Sequence, residues 1–365
     1  MALFGFGSNI MGQLAHSEEY IFVDKPIEIE FFRDRRIRKM ACGKMHVLVL
    51  CENGELYSWG VNDDYALGRD GVDEEGIKKV ETNTRDEIVD ICAGASYSAF
   101  LTKKGHVYLC GTFKSTNGVF GFSLNSKFGI GFRQVSNLKG ITSIDAGMNH
   151  ILMLSKTGDI WSMGANESYQ LGRKHRIRRE KYVLIPMQIS SIRNKEENYR
   201  FIRVAAGAYH SLGMNDGGEV FSWGSNCNGQ LGNGTLEPGD LKYKLGIQNV
   251  VDVACGYNHT LIMQKGGGIF GCGENGQKQF GICGGNKTLK KPTKIADGFE
   301  RIRSGGDFIV VEKKNKLYAA GINVECECGL ENRIEEVSKL TEIQFDFGRI
   351  IDYQCGGNYT LIYTE

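Results

Sequence analysis

The chain has 365 residues, 41% hydrophobic and 24% charged, with a formal net charge of +1 at pH 7. This is the balance of a soluble globular protein large enough for a sizeable core, and it leaves no global field to draw nucleic acid or a membrane surface, so any such contact has to be local. Forty-nine glycines against four prolines, without a collagen period, point to many tight turns between short strands rather than to a linker.

The N-terminal "MALFGFGSNIMGQLAHSEEY" lacks a basic segment followed by an apolar run. No stretch approaches the ~20 apolar residues of a membrane span. An intracellular protein without membrane contact is expected. After an opening "ALFGFGS", two phrases alternate along the chain. The first is an apolar segment that ends in glycine, with an aromatic residue or histidine three positions later: "MACGKMHVLVL", "ICAGASYSAFL", "IDAGMNHILML", "VAAGAYHSLGM", "VACGYNHTLIM", "IRSGGDFIVVE" and "YQCGGNYTLIY", with glycines at 43, 94, 147, 207, 256, 305 and 356. The second follows a turn, as in "GELYSWG" or "GEVFSWG", with final glycines at 7, 60, 111, 164, 224, 273 and 321.

Seven of each, spaced 48 to 60 residues apart, define the architecture. Each unit reads as about four short strands bounded by glycine turns, and a four-stranded repeat of ~50 residues is a β-propeller blade. The expectation is an all-β fold, a single seven-bladed propeller over 1–365. The last blade ends without its aromatic strand, and that strand stands alone at the N-terminus. We therefore expect three C-terminal strands and one N-terminal strand to close the ring, and removal of residues 1–14 to unfold it.

After the aromatic strand, four copies place two glycines eight residues apart: "GVNDDYALG", "GANESYQLG", "GSNCNGQLG" and "GENGQKQFG". The copy "CGTFKSTNGVFGFS", residues 110–123, sets Gly111 and Gly121 ten apart. An insertion over about 112–123 is expected to form a small hairpin, with Gly118 and Gly121 allowing Val119, Phe120 and Phe122 to project outward.

Chemistry-bearing motifs are few. Of eleven cysteines, several recur at one repeat position (Cys42, Cys255, Cys355), which reads as small buried residues rather than disulfides. Cys326 and Cys328 in "ECECG" lack a second pair at metal-ligand spacing. "GICGGNKT" approaches a phosphate-binding loop, but Asn286 stands where the second glycine belongs. With no G-x-S-x-G and no H-E-x-x-H, neither an enzyme of bond chemistry nor a cofactor is expected.

The phrases "G-x-N-x-x-x-Q/A-L-G" and "C/A-G-x-x-H" resemble the repeat of the regulator of chromosome condensation family over the whole chain. The loop "GVNDDYALGRDGVDEEG" (60–76) and the irregular "HVYLCGTFKSTNGVFGFS" (106–123) are similar to the loop and wedge of the family member that exchanges nucleotide on the small GTPase Ran. The resemblance implies a guanine-nucleotide exchange factor, a monomer in the nucleus on chromatin, with a Ran-type GTPase as partner and histones or DNA reached through loops. It implies GTPase contacts at Asn117, Gly118, Val119, Phe120, Gly121 and Phe122 of the wedge and at Asn149, His259, Asp307 and Tyr359 of the face.

The chain departs from that pattern at several of these positions. Asn149 stands where the family has an acid, Ala95 or Ser96 where it has another, and Tyr359 where it has a histidine, while Asp307 is an acid that could compensate. His46, His150 and His210 are expected, with one exception among these and His259, to bond across blades. The basic run containing Arg173, Lys174, Arg176, Arg178 and Arg179 is either a nucleic-acid or import signal or a solvated loop. The family's basic N-terminal tail has no counterpart before the first strand. A non-catalytic scaffold propeller of the same repeat family is the alternative.

Overall fold

The computed structural model describes residues 1–365 apart from 18, 71–75, 116–117, 137, 174–181, 190–198, 283–285 and 331–333, and apart from the side chains of 119 and 240–242. Seven four-stranded antiparallel sheets follow one another, with a separate two-stranded sheet inside the second. The blades cover 37–79, 88–134, 141–188, 201–244, 250–296, 301–342, and finally 350–364 joined to 2–28. The seven-bladed propeller expected from the repeats is the fold.

Ring closure differs from expectation in how the strands divide. The seventh sheet takes two strands from each end of the chain, in the order Phe22–Glu28, Ala2–Ser8, Tyr359–Thr364, Ile350–Cys355. Residues 22–28 pair with the first strand through Phe4↔Glu28 and Ser8↔Phe22, so a segment with no aromatic-strand signature is the outer strand of the blade. Ala2–Ser8 is thereby an interior strand, in register with Tyr359–Thr364 from Ala2↔Thr364 to Gly7↔Tyr359.

The repeat motif follows from how a blade packs. Second strands such as His46–Cys51, His150–Ser155 and His210–Asn215 are buried at every position, which explains their near-continuous apolar runs. Third strands carry the large rings: Trp59 and Trp223 are 0% exposed, and their indoles donate to the Gln13 and Gln170 carbonyls of the preceding blade.

In six of the seven glycine phrases an asparagine ties its own turn. Asn9, Asn62, Asn166, Asn226, Asn275 and Asn323 each accept, through Oδ1, the backbone N–H five residues on, at 3.0 to 3.2 Å. The glycine that opens the phrase has a steric reason. Gly224 has φ +109°, and a Cβ there would lie 2.6 Å from the Tyr209 carbonyl oxygen.

Candidate partner-binding face

In each regular blade the second strand starts where the third ends, as in His46↔Gly60, His150↔Gly164, His210↔Gly224 and His259↔Gly273. The loops before the histidines and the long turns after the glycines therefore share one end of the propeller. In blade 2 the same pairing is Tyr97↔Gly111, which puts the insertion on that face.

The insertion is a hairpin of Phe113–Ser115 and Gly118–Gly121, paired through Lys114↔Val119 and Ser115↔Gly118. Its base is fixed from three blades. Thr112 N–H donates to the Ser96 carbonyl at 2.8 Å, which is the exit bond of an ordinary blade. Phe113 is 1% exposed with its ring 4.6 Å from Tyr97. Lys114 donates its backbone N–H to Asn149 Oδ1 of blade 3 at 3.0 Å, and its ammonium pairs with Asp64 of blade 1. Beyond the hairpin, Phe128 meets Tyr65 of blade 1 at 5.7 Å.

The hairpin's aromatic residues do not stand clear of the body as expected. Phe120 and Phe122 are half-buried and lean on the cluster that contains Tyr97, Phe113 and Leu184. Phe122 is received by Gly129, where a Cβ would come within 2.5 Å of the ring. Gly121 (φ +143°) and Gly118 (φ +104°) make the turns, Gly118 is exposed, and Leu124 just beyond is 40% exposed. Asn117 and the Val119 side chain lie outside the described residues.

Asn149 is 9% exposed, and its contact is the hairpin backbone, so it positions the insertion. His259 and Tyr359 are 0% exposed, and the expected contact by these side chains gives way to a role in the seams between blades. His46, His150, His210 and His259 direct Nε2 to Ser98, Ser211, Thr260 and Ser304 of the next blade at 2.8, 2.8, 2.9 and 2.7 Å. Ser98, Ser211 and Thr260 donate their own hydroxyl protons to the carbonyls of Ala66, Gln170 and Gln230, so the imidazole Nε2 must carry a proton and donate. Burial pushes these imidazoles down, to about 4 for His46 and about 3 for the others, which keeps them neutral.

Tyr97 and Tyr359 make the equivalent clasp with a hydroxyl, donating to the carbonyls of His150 and His46 of the next blade at 2.5 and 2.8 Å, with those of Gly147 and Gly43 at 3.1 Å. All four histidines bridge blades, where one exception was expected. The seam from blade 6 to blade 7 differs: Phe308 stands at the clasp position, and Arg303 joins the blades by donating Nε to the Tyr353 carbonyl at 3.2 Å and pairing with Asp352 at 3.2 Å.

Asp307 lies on the face in the loop of blade 6, half-buried, with Gln279 Nε2 3.4 Å from Oδ1. Burial raises its carboxyl above the usual range. Sequence reasoning missed Glu327 beside it. This residue takes the place of the glutamine of other copies, is 0% exposed, accepts the Glu325 N–H through Oε2 at 2.9 Å and leaves Oε1 without a partner. Burial pushes its carboxyl up to about 7.

Arg173 corrects the reading of the basic run. Its Nη2 donates to the carbonyls of Ser162, Val183 and Ile185 at 3.4, 3.2 and 3.3 Å, so it organises its own loop and is not available to phosphate. Burial lowers its guanidinium to about 10. Lys174, Arg176, Arg178 and Arg179 lie outside the described residues. Among the described residues no group of three or more His, Cys, Asp or Glu is arranged to hold a metal ion.

Residues 2–362 match the RCC1-like domain family. The chain belongs to this family. The human protein named "Regulator of chromosome condensation" is 30% identical over 236 residues, covering 62% of this chain and 55% of that protein. Human "E3 ubiquitin-protein ligase HERC2" is 31% identical over 245 residues, 64% of this chain but 5% of the ligase. The matched part of the chain thus spans little to about half of these relatives' own length. Among solved structures, Prp20p of Saccharomyces cerevisiae, described with its binding properties to Gsp1p and histones, superposes with a TM-score of 0.92 at 25% identity, covering 99% of this chain and 90% of that one. The RCC1-like fold therefore extends over nearly the whole chain.

Proposed function

We propose that this RCC1-like chain releases guanine nucleotide from a Ran-type small GTPase, docking it on the face that carries the hairpin. The observation that carries the reading is the hairpin itself, a two-stranded sheet set into blade 2 at the end shared by the loops and held at its base by Asn149 and Asp64. An exchange factor breaks no bond of its substrate. It binds the nucleotide-free GTPase more tightly than the loaded one, which calls for a rigid projecting element and a broad complementary face. Gly118, Val119, Phe120, Gly121, Phe122 and Leu124 would supply the apolar element, and Asp307 would receive a basic group freed from phosphate. The binding of Prp20p to Gsp1p and histones supports a GTPase and histones as partner classes. Nuclear location, chromatin contact through loops, with 174–179 as the candidate segment, and action as a monomer belong to the same proposal.

A scaffold that binds without exchanging is the second reading. It is favoured by Asn149, and by Ala95 or Ser96, at positions where the resemblance implies acids, and by the inward lean of Phe120 and Phe122. Release of fluorescent GDP from Ran under catalytic amounts of the chain separates the two. Acceleration that disappears when 113–121 are replaced by a glycine-serine bridge supports exchange; stoichiometric binding with no acceleration supports the scaffold.

A further inference from the structure

Large apolar side chains left exposed on a folded protein are normally scattered singly. Two neighbouring turns on the hairpin face, after Gly7 of blade 7 and Gly321 of blade 6, collect them instead. In blade 7, Asn9 donates its N–H to the Ile21 carbonyl at 2.8 Å and its Nδ2 to the Tyr20 carbonyl at 2.9 Å, which ties the two limbs of the turn together. In blade 6, Asn323 makes the same two bonds to the carbonyls of Glu335 and Ile334, at 2.8 and 2.9 Å. Each turn thereby sets an aliphatic residue on both limbs, Ile10 and Ile21 in one, Val324 and Ile334 in the other, all 50–56% exposed. Met11 and Tyr20 are exposed beside the first pair. The other blades differ: the residue after the asparagine is Asp63, Glu167, Cys227 or Gly276, and in blade 5 the Asn275 N–H reaches the carbonyl of Lys287. The blade 6 turn rests on blade 7, since a Cβ at Gly329 would lie 2.9 Å from the Phe6 ring and Thr360 donates to the Glu327 carbonyl at 3.5 Å.

The charge of this corner is one-sided. Residues 8–21 and 323–336 contain seven glutamates and one arginine, with no aspartate or lysine. Glu18, Glu331 and the arginine, Arg333, lie outside the described residues. Glu19, Glu325, Glu335 and Glu336 are at least partly exposed, and none of them forms an ion pair among the described residues. Glu327, two residues beyond Glu325, is buried with Oε1 unpartnered, so no described cation meets it either. Aliphatic side chains held in place by backbone bonds and flanked by uncompensated carboxylates are the complement of a segment that offers apolar residues along one face and lysine or arginine beside them. Like charge disfavours nucleic acid and acidic lipid at the same place.

We propose that the turns of blades 6 and 7 form a docking surface for a basic amphipathic segment of a partner protein, its apolar face on Ile10, Ile21, Val324 and Ile334 and its cations against Glu19, Glu325, Glu335 and Glu336. Blade 1 stands between this corner and the hairpin of blade 2, and the proposal does not rest on nucleotide exchange. Its test is fluorescence anisotropy of a labelled helical peptide with leucine along one face and lysine along the other, titrated with the native chain at pH 7.5. Saturable binding is expected, weakened by added salt. Peptides with every leucine changed to serine, or every lysine to glutamate, should each bind at least about tenfold more weakly. On the protein, Ile10→Ser with Val324→Ser, and Glu335→Lys with Glu336→Lys, should each lower the affinity by at least about tenfold. Ile202→Ser, on an exposed side chain near the start of Phe201–Ala206 and so at the opposite end of the propeller, should leave it unchanged. Circular dichroism and the melting temperature establish that each variant is folded. Absence of saturable binding to the native chain, unchanged affinity in either folded double variant, or an equal loss in Ile202→Ser overturns the proposal. So does sedimentation of the native chain with phosphatidylcholine vesicles that the Ile10→Ser, Val324→Ser variant abolishes, which would assign the corner to a membrane.

Discussion

Blades 2 and 4 are built on the same plan and part company at one connection. Both leave the third strand with the same backbone bond, Thr112 N–H to the Ser96 carbonyl and Ser225 N–H to the Tyr209 carbonyl, each 2.8 Å. In blade 4 the chain then closes a turn in which Asn226 Oδ1 takes the Leu231 N–H at 3.0 Å. In blade 2 no such asparagine follows; a hairpin is added and held by neighbours, Asn149 on one side and Asp64 on the other. The repeated bonds that unite the blades are kept where the insertion begins. Stability should therefore depend on the parts that repeat, and partner contact on the part that does not.

The sharpest way to break the ring is through its repeated parts. Deleting residues 1–14 removes an interior strand that pairs on both sides, and no cooperative thermal transition is expected to remain. Trp223→Ala empties a fully buried site and removes one of the two donors to the Gln170 carbonyl, the other being Ser211, at an expected cost of about 3–5 kcal/mol in denaturant unfolding. Retention of a native melting temperature by either variant would contradict the division between scaffold and insertion.

The seams give a pH-dependent version of the same test. Below 6.5 the unfolded chain takes up protons on its histidines that the folded chain refuses until about 3 to 4, so each clasp loses stability as pH falls through that window, about 1.4 kcal/mol per pH unit. Replacing His150 by Gln should cost about 1–2 kcal/mol at pH 7.5 and make the acid slope shallower. Glu327 has the opposite sign. Its folded carboxyl titrates at about 7 against an ordinary 4.5, so it costs stability as pH rises across that interval. Glu327→Gln restores the residue of other copies and should stabilise by roughly 1–3 kcal/mol at pH 8, with the gain vanishing near pH 4. Melting curves at several pH values check both.

The smallest effects belong to the hairpin. Asn149→Ala should cost about 1 kcal/mol locally, seen as faster hydrogen exchange at the Lys114 amide with little change in global melting. Leu124→Ser, on an exposed side chain, should shift stability by less than about 0.5 kcal/mol.

The sequence made the ring legible because its signals are local: glycine where a Cβ would strike the neighbouring loop, asparagine where a turn needs an acceptor, tryptophan where a blade covers the next. It did not reveal that residues 22–28 belong to the closing blade, since an outer strand packed on one side carries little hydrophobic pattern. It assigned three of the four histidines to bonds across blades, but not the fourth and not their partners. The phrase that marks His46 and His259 is the same whether the ring faces solvent or a serine of the next blade, and only the packed ring puts Ser98 and Ser304 within reach. Arg173 read as part of a basic run because its three carbonyl partners are made by folding.

The most direct measurement is stopped-flow release of fluorescent GDP from Ran, comparing the native chain with a chimera whose residues 112–128 are replaced by the turn of blade 4, residues 225–233. The account predicts that the chimera melts within a few degrees of the native chain and has lost nearly all acceleration of release. A folded chimera that still accelerates release as the native chain does would contradict a role for the hairpin.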